Sequence, residues 1–364
     1  MRALASPLEQ RQSSTAADEP VRNLQPASGG SLERGCLCRS DSRRNRPSRT
    51  AWILGTGVNA ATFGVVSPVD VVVVSYNSAD HLRACVEPLV PLDGVRVIVV
   101  DNASTDESVA SLEGVPATVI PLADNRGFAY GCNVGCKAGG APFVLFLNPD
   151  ATIDGDSLAL LASTLEADES VGAAGPRIVE ADGSLDYSQR RFPRLRSTYA
   201  QALFLHRFFP RAEWSDELIR DPSAYERPGD PDWLSGACLL VRRTALELVN
   251  GLDEAFFLYS EDIDLCRRLR NAGLEVRFVP GALCVHAGGA SAPRAALLPV
   301  LAESRVRYAQ KHMSRTAALL QRLGIALGAF THSVVTVRGR SARAGHLRAM
   351  RRALTRRSRR AAGP

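Results

Sequence analysis

The stretch VLFLNPDATI, residues 144–153, runs from an apolar strand pattern straight into Asn148, Pro149 and Asp150. A strand that ends on a carboxylate reads in two ways. The acid caps a helix, or it stands at the carboxyl edge of an α/β sheet, where such sheets bind ligands. The flanking segments decide. VDVVVVS (69–75) and VRVIVVD (95–101) are continuous β-branched runs, the pattern of strands covered on both faces. Each also ends in polar residues, Ser75-Tyr76-Asn77 and Asp101-Asn102. Around them the pattern predicts helices over 79–90, 106–112 and 127–138, and strands over 117–120 and 143–147. Ala129, Cys132, Asn133 and Cys136 recur at i, i+3, i+4, i+7, the inner face of the third helix. This alternation means βαβ units and a mostly parallel, Rossmann-like sheet flanked by helices. Right-handed crossovers place the carboxyl ends of successive parallel strands on one edge. The three polar clusters are therefore expected to meet at one crevice and form a site.

Composition narrows the function. The 364 residues, 45% apolar, suffice for a large core. The net charge of +6 is unevenly placed: residues 1–68 carry nine Arg against five acids, and 338–364 carry ten Arg and no acid, which leaves 69–337 at −8. An acidic globular part weighs against nucleic acid as a partner, while an Arg-rich end suits contact with an anionic membrane or stays as a solvated tail. The eight cysteines form no CxxC pair and fall mostly in apolar segments, as in a reduced intracellular protein. Residues 1–68 are expected to be a disordered extension and 69–294 the folded domain, followed by helices over 295–337 and a basic tail over 338–364. The apolar run 51–66 is short for a membrane span. Residues 316–337 are interrupted by Gln321, Arg322 and His332 and are expected to be a packed or amphipathic helix.

No G-x-G-x-x-G follows the first strand and no phosphate-loop G-x-x-x-x-G-K-[ST] occurs, which argues against NAD and P-loop chemistry. Asp101 either accepts from a base or ribose or, with Ser104 and Thr105, caps the helix after it. DNRGFAYGCN (124–133) sets Asn125, Arg126 and Gly127 at a helix start, a place for phosphate oxygens or an ordinary loop–helix junction. Asp150 is placed to bridge a divalent cation to a diphosphate, with Mg2+ or Mn2+ the suited ions. His286 offers either a nitrogen ligand or a structural imidazole. In YSEDIDLCRR (259–268), Ser260, Glu261, Asp262 and Asp264 suit the positive end of a helix. One of the acids is alternatively a general base. Asp262 shares a face with Leu265 and Leu269 and is expected to point inward, while Asp264 and Arg268 point elsewhere.

These blocks, from VVVVSYNSADHLRACVEPL through VIVVDNASTD, NRGFAYGCNVG, FLNPDATI, DWLSGACLLVRR and GLDEAFFLYSEDIDLCRRLRNAGL to HAGGAS, together resemble family 2 glycosyltransferases in order. The resemblance covers about residues 69–290 and is nearest to the rhamnosyltransferase-like branch that builds bacterial cell-wall and surface polysaccharides. It implies a GT-A fold with a helical C-terminal extension. It also implies an inverting, metal-dependent hexosyltransferase that moves a sugar, best matched by rhamnose from dTDP-rhamnose, to a glycan or polyprenyl-linked acceptor. Ser75, Tyr76, Asn77, Asp101 and Asn102 would surround base and ribose, and Asn125, Arg126 and Gly127 the diphosphate. Asn148 replaces the first carboxylate of the family's D-x-D, which leaves Asp150 and His286 as metal ligands. Asp262 matches the base of the ED block, with Glu261 beside it, and Trp233 and Gly236 fall on the acceptor side. The cysteine usage leads to the expectation of a cytoplasmic enzyme, and the Arg-rich end leaves open a peripheral contact with the inner face of the cell membrane or a solvated tail. A sugar-nucleotide pyrophosphorylase or a catalytically silent scaffold are the rivals.

Overall fold

The computed structural model describes residues 67–288, 294–337 and 339–355. The expected N-terminal extension, except Ser67 and Pro68, lies outside the described residues, as do Cys36-Leu-Cys38 and the apolar run 51–66.

From the amino end come β1 (Val69–Ser75), α1 (Ala79–Val86), β2 (Val95–Asp101), β3 (Thr118–Pro121), α2 (Phe128–Ala138) and β4 (Phe143–Leu147). Next are β5 (Ala151–Ile153), α3 (Gly155–Ala167), β6 (Val171–Val179), β7 (Gln189–Arg190), α4 (Leu195–Ala202), β8 (Trp233–Leu234), β9 (Cys238–Arg242) and α5 (Arg243–Leu248). The chain continues through α6 (Glu261–Asn271), β10 (Glu275–His286), α7 (Arg294–His312), α8 (Arg315–Val335) and α9 (Gly339–Leu354). Eight strands form one sheet in the order β3-β2-β1-β4-β9-β6-β10-β5, and β7 pairs with β8 separately. The β3-β2-β1-β4 half is parallel, as the β-branched runs imply. β9 enters between β4 and β6 antiparallel to both, so the sheet is mixed.

The central strands are buried on both faces. One face packs Val71, Val73, Leu145 and Leu147 with Leu82, Leu161 and Leu165; the other packs Val72, Val74, Val144 and Phe146 with Cys132, Phe256, Leu265 and Leu269. Each such side chain removed from water contributes about 1.5–3 kcal/mol, which fixes the strand register far more firmly than local propensity. Gly131 and Gly135 of α2 lie directly on Val74 and Val72, where a Cβ would collide with the valine methyls. Asn133 is half-buried instead, its amide donating to the Leu252 carbonyl at 2.9 Å.

The helix expected over 106–112 shrinks to a single 3-10 turn at Ala110–Leu112. Side chains hold the preceding loop: Ser104 Oγ accepts from Asn77 N at 3.0 Å, Asn77 Oδ1 accepts from Thr105 N at 2.8 Å, and Ser108 Oγ accepts from Ser78 N at 2.7 Å. Such local bonds compete with helix formation.

The C-terminal helices form their own core around Ala302, Val306, Ala326, Ala349 and Ala353. α8 is long and apolar enough to cross a membrane by length and composition. One face of it packs on α4 while Leu319, Leu323, Phe330 and Val334 stay exposed: Gln321 is buried and its amide bonds Thr198 Oγ1 of α4, and Thr331 Oγ1 donates to the Ala202 carbonyl at 2.7 Å. The expected basic tail is corrected in part. Gly339–Leu354 is helical, because Gly345, Ala349 and Ala353 give it a small-residue face that fits against α7 and α8.

Candidate active site

Register brings the strand ends together. Ser75 lies opposite Asp101, and Val73 opposite Leu147, so Asn148 leaves the sheet beside the end of β1. The first cluster is the β1–β2 crevice. Asn102 N donates to the Ser75 carbonyl at 2.8 Å, and Asn102 Oδ1 accepts from Arg126 N at 3.0 Å. Asp101 spends one oxygen on Ser104 N at 3.1 Å. Among the described residues its other oxygen and Ser75 Oγ are buried without a partner. Buried orphan acceptors and hydroxyls are costly unless a ligand satisfies them. Asp101 thus closes a local turn and caps no helix, and one of its oxygens stays unspent. Asn77, in the left-handed region at φ 51°, and half-buried Tyr76 form the loop above.

Asn125, Arg126 and Gly127 stand at the start of α2. Asn125 Oδ1 accepts from Gly127 N at 3.0 Å, and the Arg126 guanidinium lies 3.6 Å over the Tyr130 ring. Gly127 has φ 92°, a Cβ there would meet the Phe257 backbone, and Phe257 O accepts from Phe128 N at 2.7 Å. This close approach requires glycine and locks α2 to the loop that leads into α6.

Asp150 and His286 meet at the other side of the crevice. β5 runs antiparallel to β10 with Ala151 opposite His286, which sets His286 Nε2 3.2 Å from Asp150 Oδ1 and 3.2 Å from Asn148 Nδ2. The two side chains are 8% and 17% exposed. Burial pushes the Asp150 carboxyl up, but the hydrogen bond and charge of His286 outweigh it and leave it below the usual carboxylate range. Burial pushes His286 down, and Asp150 more than reverses this. Among the described residues no group of three or more His, Cys, Asp or Glu side chains is arranged to hold a metal ion. A divalent cation here would have an oxygen and a nitrogen ligand from the protein, leaving its other positions to phosphate oxygens and water. This donor set fits Mn2+ better than Mg2+.

Asp262 faces the same crevice from α6. Gly236 N donates to its Oδ2 at 3.1 Å and Ile263 N to its Oδ1 at 2.8 Å. A Cβ on Gly236 would press on Asp262 at 3.1 Å, so Gly236 is the seat of this carboxylate. The next residue, Ala237, accepts from Asn148 N at 2.9 Å. One short loop therefore joins the Asp262 and Asp150 sides. Burial raises the Asp262 carboxyl above the ordinary aspartate range, against the two N–H donors and the nearby Arg190.

Three expectations need correction. Glu261, paired with Asp262 as catalytic, is 6% exposed and sits in the core near Cys132. Burial first, and the neighbouring Asp262 second, push its carboxyl well up. Trp233, which the resemblance puts on the acceptor side, is 3% exposed; its indole N–H donates to the Arg191 carbonyl at 3.0 Å and Arg190 stacks 5.0 Å over the ring. Asp264, expected to point away from the interior, is 0% exposed, whereas Asp262 is half-buried. It binds Arg268 Nε, Lys311 Nζ and His312 Nε2, each at 2.7 Å, and so ties α7 to α6.

The sequence reading also passed over Arg190. It lies on the two-residue strand β7, within electrostatic reach of Asp262, and no periodic signal marks so short an element.

The family model described as glycosyl transferase family 2 matches residues 70–246. A Mycobacterium tuberculosis N-acetylglucosaminyl-diphospho-decaprenol L-rhamnosyltransferase is 35% identical over 59% of this chain and 75% of its own length. The Escherichia coli rhamnosyltransferase WbbL is 26% identical over 59% of this chain and 82% of its own. A mannosyltransferase structure from Pyrobaculum calidifontis, solved with GDP-Man and Mn2+, aligns with a TM-score of 0.48 at 18% identity over 76% of this chain and 77% of that one. The chain belongs to glycosyl transferase family 2, in its rhamnosyltransferase-like branch, and has the GT-A fold. It is a glycosyltransferase.

Proposed function

We propose that this enzyme transfers rhamnose from dTDP-rhamnose, with inversion, to a hydroxyl of a polyprenyl-diphosphate-linked glycan in the synthesis of cell-envelope polysaccharide. The rhamnosyl and lipid-linked parts follow from the relatives' names. The observation that carries the reaction is Asp262, desolvated and fixed by Gly236 N–H, one loop away from Asp150 and His286.

The chain's own groups account for each step. Ser75 Oγ and the unspent Asp101 oxygen take base or ribose polar atoms, and Arg126 with the α2 start takes phosphate oxygens. Asp262 accepts the proton of the acceptor hydroxyl. The oxygen forms a bond to the anomeric carbon from the face opposite the diphosphate, whose carbon–oxygen bond breaks as the nucleotide diphosphate leaves. A single displacement inverts that centre. Asp150 and His286 would hold a divalent cation, which would supply positive charge against the departing diphosphate.

A peripheral seat on the cytoplasmic face of an anionic membrane belongs to the same proposal. Leu319, Leu323, Phe330 and Val334 are exposed along α8, and Phe208 and Phe209 are exposed beyond α4. Apolar contact plus Arg-rich α9 suits such a surface.

Calorimetric titration with dTDP, UDP and GDP, each with and without Mn2+, tests the donor. Selective, metal-enhanced binding of dTDP is expected. Preference for another base moves the donor, and binding of none sinks the transferase mechanism in favour of a silent scaffold.

A further inference from the structure

A cavity of about 430 Å3 opens between the loop before α6, α7 and α9. Its floor is apolar, with Phe257, Pro299 and Val300, and its rim carries Arg307, Arg348, Arg351 and Arg352 against one acid, Glu303. Glu303 is already engaged, by Arg352 at 2.6 Å and Arg307 at 4.0 Å. Among the described residues no carboxylate pairs with Arg348 or Arg351. α9 sets Arg348, Arg351 and Arg352 on one side because Gly345, Ala349 and Ala353 are spent on packing. The groove therefore holds a surplus of positive charge above an apolar floor. Guanidinium forks match the paired oxygens of phosphate groups bidentately, and an apolar lining beside them suits a phosphate that carries a hydrocarbon chain.

The position bears on the reaction. Phe257, which lines the groove, is the residue whose carbonyl holds the start of α2, and Ser304 Oγ donates to the Leu258 carbonyl at 2.8 Å. From there Tyr259 and Ser260, both in the left-handed region at φ 68°, lead directly into Glu261 and Asp262. None of Ser75, Asp101, Asp150 or His286 lines the groove, so it is separate from the donor crevice.

We infer that this groove binds the diphosphate of an isoprenoid-diphosphate-linked acceptor, with the first isoprene units against Phe257, Pro299 and Val300. The inference rests on the lipid-linked acceptor proposed above. It makes α9 an acceptor-binding element rather than a solvated tail.

The test titrates the full chain, with dTDP present at saturation to cover the donor crevice, with farnesyl diphosphate, pyrophosphate and farnesol. Farnesyl diphosphate is expected to bind more tightly than either fragment. The double variant Arg348→Ala/Arg351→Ala, both residues exposed, is expected to lose about tenfold or more of that affinity while its dTDP titration and melting temperature stay unchanged. The Lys double variant retains charge without the fork and is expected to fall between. No farnesyl diphosphate binding by the wild type, or unchanged binding in the Ala variant, overturns the inference. So does a variant that loses binding to anionic vesicles alone, since the arginines then serve lipid headgroups. Failure of dTDP to bind sinks the donor reading by itself, because farnesyl diphosphate binding is read without transfer.

Discussion

Asp262→Asn isolates the proton transfer. The change keeps the side chain's shape and removes its basicity. General-base assistance contributes about 10²–10⁴-fold, so the barrier is expected to rise by about 3–5.5 kcal/mol. The fold should survive. Both carboxylate oxygens accept backbone N–H groups, from Gly236 and Ile263, and an amide offers one acceptor where two are needed. One N–H loses its partner, at about 1–3 kcal/mol. The loss of a desolvated charge beside Glu261 offsets part of this. The expected signature is a kcat reduced by two to four orders of magnitude, with dTDP affinity changed by less than about twofold. Nucleotide release measured with donor and acceptor together reports the first, and calorimetry the second. In the wild type only the carboxylate form takes the proton, and burial raises its pKa. The acid limb of kcat/KM should therefore lie above the ordinary aspartate value of 3.8. A variant that turns over within about threefold of wild type would refute the reasoning, since no base role survives so small a loss.

Asp150→Ala should abolish the Mn2+ enhancement of dTDP binding while metal-free affinity persists; intact enhancement in a calorimetric titration removes Asp150 from the metal site. Glu261→Gln should retain activity and raise the melting temperature at pH 7. A buried acid with a raised pKa keeps its proton in the folded state after the unfolded chain has lost it, so native stability falls as pH climbs from 4.5 upward. The Gln variant lacks this decline, and its advantage should vanish near pH 4; an advantage independent of pH counts against the assignment. Asp264→Asn leaves Arg268, Lys311 and His312 without their shared carboxylate and should cost about 3–5 kcal/mol in denaturant unfolding, the usual result of breaking a buried charge network. A loss below about 1 kcal/mol would return that network to the solvated class.

The sequence by itself determined the strands of the parallel half and their polar ends. A doubly buried strand is written in a continuous β-branched run, and chirality then dictates which edge the ends share. Asp150 was legible for this reason; Asp262 was singled out by the helical face it shares with Leu265 and Leu269 and by the ED block of the resemblance, and the block order carried the family. His286 stayed an open alternative in its own residues because its nearness to Asp150 comes from the antiparallel pairing of β5 with β10. The tertiary structure alone showed how Glu261, Asp262 and Asp264 differ in burial: Glu261 and Asp264 are buried and Asp262 is half-buried. Helical spacing shows which residues share a face, but α6 is covered on two sides, by the sheet core and by Lys311 and His312 of α7. Trp233 was misjudged on the same ground: an aromatic beside an acceptor block reads as a stacking surface until Arg190 and the Arg191 carbonyl, supplied by a strand two residues long, close over it. Periodicity records how a segment meets its own core; what a distant segment lays upon it follows from burial and charge pairing that form only when the chain has folded.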